Sequence, residues 1–156
     1  MTLNIRAASA DDAEAVGRLA EQFADYLRSL GDTTDFKLNA QTYLRDGFGT
    51  NPAFSGLVAE QEGNIVGYLL YHFGYDSDSA VRILHVVDLY VNENVRRLGI
   101  GRALMSAAAK LSRDAGGTEL FWSVYVHNKV AASFYERLGS RYTKDLLFMM
   151  IRSDAL

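Results

Sequence analysis

The chain has 156 residues, 49% of them apolar and 22% charged, with a net charge of −3 and a pI near 5.6. That is the size and composition of one globular domain, and its acidic balance removes the electrostatic basis for binding nucleic acid. No cysteine is present, which excludes a disulfide framework, a thiolate metal site and a cysteine nucleophile.

Leu3 to Ala8 predicts a first strand, with Leu3, Ile5 and Ala7 on one face. Ser9 ahead of Ala10-Asp11-Asp12 marks a helix start, with a capping hydroxyl and acids in the first turn. Val16, Leu19, Ala20, Phe23 and Leu27 then recur at helical spacing, which carries the helix to about Leu30. A shorter helix is expected over Ala40–Asp46. Three strands follow at Ser55–Glu60, Ile65–Tyr75 and Arg82–Val91, the first two joined by a tight turn at Glu62-Gly63-Asn64. The period changes again at Gly99–Ala115, a helix with Leu104, Ala108 and Leu111 inward and Gly116-Gly117 as its stop. A strand over Glu119–Val126, a helix over Lys129–Leu138 and a last apolar strand over Leu146–Arg152 complete the chain. This order predicts a single α/β domain spanning residues 1–156, with an antiparallel front half and a parallel crossover. Met1 to Arg6 lacks the build of a signal peptide, and no apolar run is long enough to span a membrane. A cytoplasmic location is expected, with neither membrane nor nucleic acid as partner.

The segment Val95-Arg96-Arg97-Leu98-Gly99-Ile100-Gly101-Arg102 lies between a strand and a helix. Glycines there let backbone approach a ligand closely and free the first N–H groups of the helix. Together with the helix dipole those groups suit a pyrophosphate, and Arg96, Arg97 and Arg102 add positive charge. Taken alone, the turn fits a solvated strand-to-helix connection equally well. It lacks the GK[ST] ending of a P-loop and the three-glycine dinucleotide pattern.

Arg96-x-x-Gly99-x-Gly101, following Val87-Asp88-Leu89-Tyr90-Val91, resembles the acetyl-CoA signature of the GNAT (Gcn5-related N-acetyltransferase) superfamily. Asn128-Lys129-Val130-Ala131-Ala132-Ser133-Phe134-Tyr135-Glu136-Arg137-Leu138-Gly139 resembles that superfamily's second segment, at the usual distance. Arg45-Asp46-Gly47-Phe48-Gly49-Thr50-Asn51-Pro52-Ala53-Phe54, with Leu57-Val58-Ala59-Glu60, is similar to the spermidine/spermine (diamine) acetyltransferase branch. The resemblance implies a GNAT fold: a mixed central sheet of about six to seven strands, antiparallel in its N-terminal half, with about four helices. It implies an acetyl-CoA-dependent N-acetyltransferase that moves acetyl to a primary amine of a small molecule (polyamine, diamine or amino-acid-like) by direct transfer in a ternary complex. Acetylation of a protein N-terminus or lysine, and a non-catalytic acyl-CoA-binding module, stand as alternatives. A homodimer is the family expectation, with Leu146–Ile151 as a contributor. No metal is expected.

The resemblance also implies residue roles. The backbone of Leu89, Tyr90 and Val91 would pair with the pantetheine arm, as an added strand does. Arg96, Arg97, Leu98, Gly99, Ile100, Gly101 and Arg102 would hold the pyrophosphate, and Asn128 would reach the arm from the far side. Tyr135 would stand near the sulfur and protonate the leaving thiolate, although by sequence alone it also reads as a core aromatic beside Phe134. The branch carries a glutamate base where this chain has Val87. His85, two residues earlier and so on the same strand face by alternation, is a substitute base or a structural histidine. Asp88 would point to the other face. Glu21, Asp25, Tyr26, Asp32, Asp35, Asp76 and Asp78 are candidates to hold the ammonium of the acceptor.

Overall fold

A computed structural model describes residues 2–156. Strand β1 (Leu3–Ala7) is followed, after a 3₁₀ turn at Ala10–Asp12, by helices α1 (Ala13–Ser29) and α2 (Ala40–Gly47). Strands β2 (Ser55–Gln61), β3 (Asn64–Asp76) and β4 (Val81–Val91) come next. Helix α3 (Ile100–Asp114), a short β5 (Leu120–Phe121) and helix α4 (Lys129–Arg137) complete the regular elements that build the site. The sheet runs in the order β1-β2-β3-β4-β5, antiparallel through β4 and parallel between β4 and β5.

Local chemistry accounts for these elements. The β2–β3 loop is Glu62-Gly63, with φ of 52° and 79°; two consecutive positive angles make the turn whose twist matches a right-handed strand pair. The carbonyl oxygen of Asn39's side chain accepts from Thr42 N at 2.9 Å and starts α2. Arg6 ties the first strand down by donating to both carboxylate oxygens of Asp12 at 2.8 Å and to Glu60 at 2.9 Å.

Both faces of the sheet are packed. Against α1 and α2 lie Val58, Tyr68, Leu70 and Tyr90, meeting Val16, Leu19, Ala20 and Tyr43. Against α3 and α4 lie Leu57, Leu69, Leu84 and Val86, meeting Ile100, Leu104, Met105 and Ala108. Leu69, Leu84 and Leu104 are fully buried, each stabilising the fold by about 2 kcal/mol relative to exposure.

Two features of the sheet shape the site. In the β3–β4 ladder Tyr71 faces Val86 while Leu70 faces Asp88, so Val87 is an extra residue in a β-bulge. A bulge shifts the alternation of side chains by one place. Leu84 and Val86 therefore point toward α3, whereas Tyr90 points toward α1 although it too is an even-numbered position. The second feature is the parallel pair, which joins only Leu84 to Leu120 and His85 to Phe121 before the chains part.

The sheet is smaller than the six to seven strands expected. The predicted strand Glu119–Val126 is reduced to Leu120–Phe121, because β4 turns away at the bulge and leaves Trp122–Val126 without a ladder partner. Leu146–Arg152 is not a strand either. Its apolar residues lack a pairing edge and stay exposed, with Leu147 at 95%, Met149 at 94% and Met150 at 99%.

Candidate active site

Where β4 and β5 separate, a cleft of about 590 Å³ opens between the N-terminal ends of α3 and α4. Its floor is Leu89, Tyr90 and Val91; one wall is Arg96, Arg97, Gly99, Ile100, Gly101 and Arg102; the other is Asn128 and Tyr135. These residues are 46 positions apart in sequence at the extremes, from Leu89 to Tyr135, and they meet where β4 and β5 part. Leu98 is 61% exposed and lies outside the lining.

Helix α3 begins at Gly99, whose φ of 80° is a left-handed conformation that glycine adopts without strain. No side chain caps this helix and no acid occupies its first turn. Its first N–H groups therefore stay open to an anion, and Arg102 stands beside them. Gly101 must be small for a different reason. A Cβ there would sit 3.1 Å from the Phe134 ring, where α3 and α4 meet.

Asn128 is buried and caps α4: its Oδ1 accepts from Ala131 N and from the Tyr26 hydroxyl, both at 3.1 Å. With Oδ1 doubly used, the amide nitrogen is the group left to serve a ligand, as a donor. The Tyr26 bond crosses the cleft from α1 to α4.

Arg96 is held away from the α3 terminus. Its Nε donates to the Val91 carbonyl at 3.0 Å, Nη1 lies 3.5 Å from Glu93, and the guanidinium rests over the Tyr26 and Tyr90 rings at 4.8 and 5.3 Å. It occupies one lone pair of the carbonyl of one of the three floor residues, so a strand-like ligand on that edge competes with it for that acceptor.

Tyr135 packs on Trp122, with ring centroids 5.0 Å apart, and burial pushes its phenol up to about 12, the nearby Asp88 charge adding to the effect. Asp88 itself is pushed up to about 7 by burial.

His85 is not part of the cleft lining. Its Nδ1 is 2.9 Å from His72 Nε2 on the neighbouring strand, and its ring lies against Phe121. Burial, then the charge of His72, lowers its pKa. The expectation that His85 shares a face with Val87 and opposes Asp88 does not hold: the bulge puts His85 and Asp88 on one face, with their partners His72 and Leu70.

Among the acids considered for the acceptor, most are engaged locally. Asp25 pairs with Arg28, Asp35 lies 3.5 Å from Lys37, Asp32 accepts from Thr34 N and Asp76 from Asp78 N. Glu21 and Asp78 are exposed. Only Tyr26 of that group reaches the cleft. Phe23, Lys129, Val130 and Arg137 also line it. Phe23 reads as core in the helical stripe of α1, while Lys129 and Arg137 were visible as cations flanking the Ala131–Tyr135 segment.

Residues 18–140 match the acetyltransferase (GNAT) family. The chain belongs to the GNAT family. Thialysine N-epsilon-acetyltransferase of Sus scrofa is 33% identical over 145 residues, covering 88% of this chain and 83% of that protein. Spermidine/spermine N(1)-acetyltransferase-like protein 1 of Homo sapiens is 30% identical over 143 residues, covering 87% of this chain and 20% of that protein. Among solved structures, an integron cassette protein of V. cholerae superimposes with a TM-score of 0.80 at 19% identity, covering 99% of this chain and 94% of that one. An aminoglycoside N-acetyltransferase solved in complex with CoA gives 0.76 at 17%, covering 97% and 95%. This GNAT protein is an acetyl-CoA-dependent N-acetyltransferase built on one mixed five-stranded sheet and four helices.

The cleft fits that co-substrate on the chemistry of its own atoms. Uncapped helix N–H groups and Arg102 suit a pyrophosphate, the Leu89–Val91 edge suits an amide-bearing arm, and the Asn128 amide faces it from across the cleft.

Proposed function

We propose that this chain acetylates the primary amine of a small molecule of the polyamine, diamine or amino-acid-like class, by direct transfer in a ternary complex. The observation that carries this reading is the cleft at the split between β4 and β5, which is lined by the phenol of Tyr135 together with the uncapped start of α3. Relatives named for thialysine and spermidine/spermine acetylation support the acceptor class.

Acetyl-CoA supplies an activated acyl group as a thioester. The chain supplies the rest. Gly99, Ile100, Gly101 and Arg102 anchor the pyrophosphate through backbone N–H groups and charge, joined by Arg97 and, once released from Val91, by Arg96. The Leu89–Val91 backbone and Asn128 fix the arm so that the thioester lies beside Tyr135. Tyr135 keeps its proton at neutral pH and delivers it to the departing sulfur. A backbone N–H near Leu89 stabilises the charge that develops on the carbonyl oxygen. His85 takes part in removing the acceptor's proton. The protein works in the cytoplasm as a homodimer with no nucleic-acid or membrane partner; among the described residues no helix is long and apolar enough to cross a membrane.

The test is thiol release from acetyl-CoA over a panel of polyamines, diamines, lysine-like amino acids and peptides. Turnover with small amines and little with peptides is expected. Turnover confined to peptides would reassign the acceptor to proteins.

A further inference from the structure

Val87 cannot take a proton, yet the attacking nitrogen arrives as an ammonium and must lose one. We infer that Asp88 is the proton acceptor for the amine and that the His85–His72 pair carries the proton on to solvent; this rests on the acetyl-transfer reading above.

The bulge is the origin of the arrangement. Because Val87 is the extra residue, Asp88 and His85 follow one another on the same sheet face, opposite Leu70 and His72. Their Cα atoms are spaced by slightly more than one strand repeat, about 7 Å. That face runs from beneath α1 and α2, at Tyr68 and Tyr90, past the bulge to the His72–His85 pair, where His72 is exposed. His85 Nδ1 lies 2.9 Å from His72 Nε2, so the pair joins the residue next to Asp88 on this face to an exposed imidazole.

Asp88 has no ion pair or side-chain hydrogen bond among the described residues. Asp88 is half-buried, and a carboxylate withdrawn from water without a partner incurs a desolvation cost that a paired one offsets. Close by, Tyr68 Oη is the one buried side-chain polar atom without a partner among the described residues. Both Tyr68 and Tyr135 feel the Asp88 charge, since it pushes each phenol upward. The titratable groups facing Asp88 are Tyr68 from β3, Tyr90 from β4 and Tyr135 from α4, with His85 and His72 as the next cross-strand pair along the same face. The helices over this face bring Phe23, Tyr26 and Tyr43, and Arg96 is engaged over Tyr26 and Tyr90. A free carboxylate and an orphaned hydroxyl beside the donor phenol form a pair of partners for an arriving ammonium or for a water next to it.

The proton balance closes. The ammonium gives one proton to the Asp88 carboxylate, through the Tyr68 hydroxyl or water, and becomes a neutral amine. Its lone pair forms the C–N bond to the acetyl carbon as the C–S bond breaks. The second proton leaves the nitrogen as the amide forms and replaces the one that Tyr135 gives to sulfur. Asp88 then passes its proton by way of His85 and His72 to solvent. The products are the amide, the free thiol and one released proton.

The experiment compares wild type, Asp88→Asn and His85→Ala in thiol release against the best amine of the panel, from pH 5.5 to 9.5. Acetyl-CoA binding is followed in parallel by its effect on melting temperature. Asp88→Asn is expected to lower kcat by about 100-fold, to abolish the acid limb near pH 7, and to keep the stabilisation by acetyl-CoA. His85→Ala is expected to lower kcat less than tenfold while the limb remains. Asp88→Asn turning over like wild type with the same limb overturns the proposal alone. A limb lost in His85→Ala but kept in Asp88→Asn returns the role to His85. If wild type turns over no amine, the acetyl-transfer reading falls and this inference with it.

Discussion

Tyr135 carries two burdens that pull in different directions. Burial against Trp122 and Phe134 raises its pKa to about 12, with the Asp88 charge adding to the rise. This makes it a weaker acid but guarantees that it is protonated at any physiological pH. A thiolate leaves far more readily than an alkoxide or amide anion, so a weak phenolic donor suffices, its hydrogen bond strengthening as negative charge grows on sulfur. Tyr135→Phe keeps the ring, and with it the contacts to Trp122 and Phe134. It is therefore expected to lower kcat by about 10²-fold while acetyl-CoA still stabilises the fold as in wild type. Equal losses in turnover and in cofactor affinity, seen by steady-state kinetics beside thermal shift, would show that the ring and not the hydroxyl matters. Asn128 differs from Tyr135 in this respect. Its Oδ1 closes a helix end and a cross-cleft bond, so any change there mixes binding with stability.

Among the elements, the helices were legible and the strands only partly so. The stripe Val16, Leu19, Ala20 and the stop after Leu30 place α1 within a few residues, because a helix satisfies its backbone internally. Strands need partners, and partners are not written in the local pattern. Val87 shows this most sharply: alternation along Ile83–Val91 predicts faces correctly up to the bulge and inverts them after it. The residues that line the cleft were legible because glycine, arginine and asparagine sit at fixed spacing in two segments; the Arg96 contact with the Val91 carbonyl was not, since it depends on where the chain turns after β4. The same reasoning explains Leu146–Ile151. The pattern is that of a strand, yet the segment stays exposed, with Phe148 resting against Phe121 at 5.4 Å. An exposed apolar run beside the short edge strand β5 is a surface that a second copy can cover. Replacing Leu147 and Met149 by Asp is expected to convert a dimer to a monomer in light scattering. A wild-type mass equal to one chain would remove the dimer.

For the molecule as a whole, the charged groups set opposing demands on pH. Asp12 is held below its ordinary value, first by the hydrogen bond from Arg6. A depressed carboxylate contributes stability that is present above the unfolded value near 4 and is lost as pH falls through the folded value. His85 is also depressed, so the folded state resists its protonation, and stability falls as pH drops below about 6.5. Asp88 acts in the reverse sense. Its pKa is raised to about 7, so the folded state holds a proton that the unfolded chain has already released. Its contribution is fully present below pH 4 and is lost as pH rises from there through 7. A shift of that size corresponds to at most about 4 kcal/mol, and relaxation around the carboxylate brings the expected effect to about 2 kcal/mol. Asp88→Asn removes this penalty without altering shape. The variant is expected to be more stable than wild type at pH 8, by several degrees in melting temperature, with the gap closing toward pH 5, where Asp88 is itself neutral. Urea unfolding at both pH values checks the sign. A gap that is constant with pH, or that widens toward pH 5, would mean that Asp88 is a satisfied structural carboxylate. A gap that opens with pH would mean that the fold tolerates an unpaired charge at the split in its sheet, as expected where activity and stability compete for one residue.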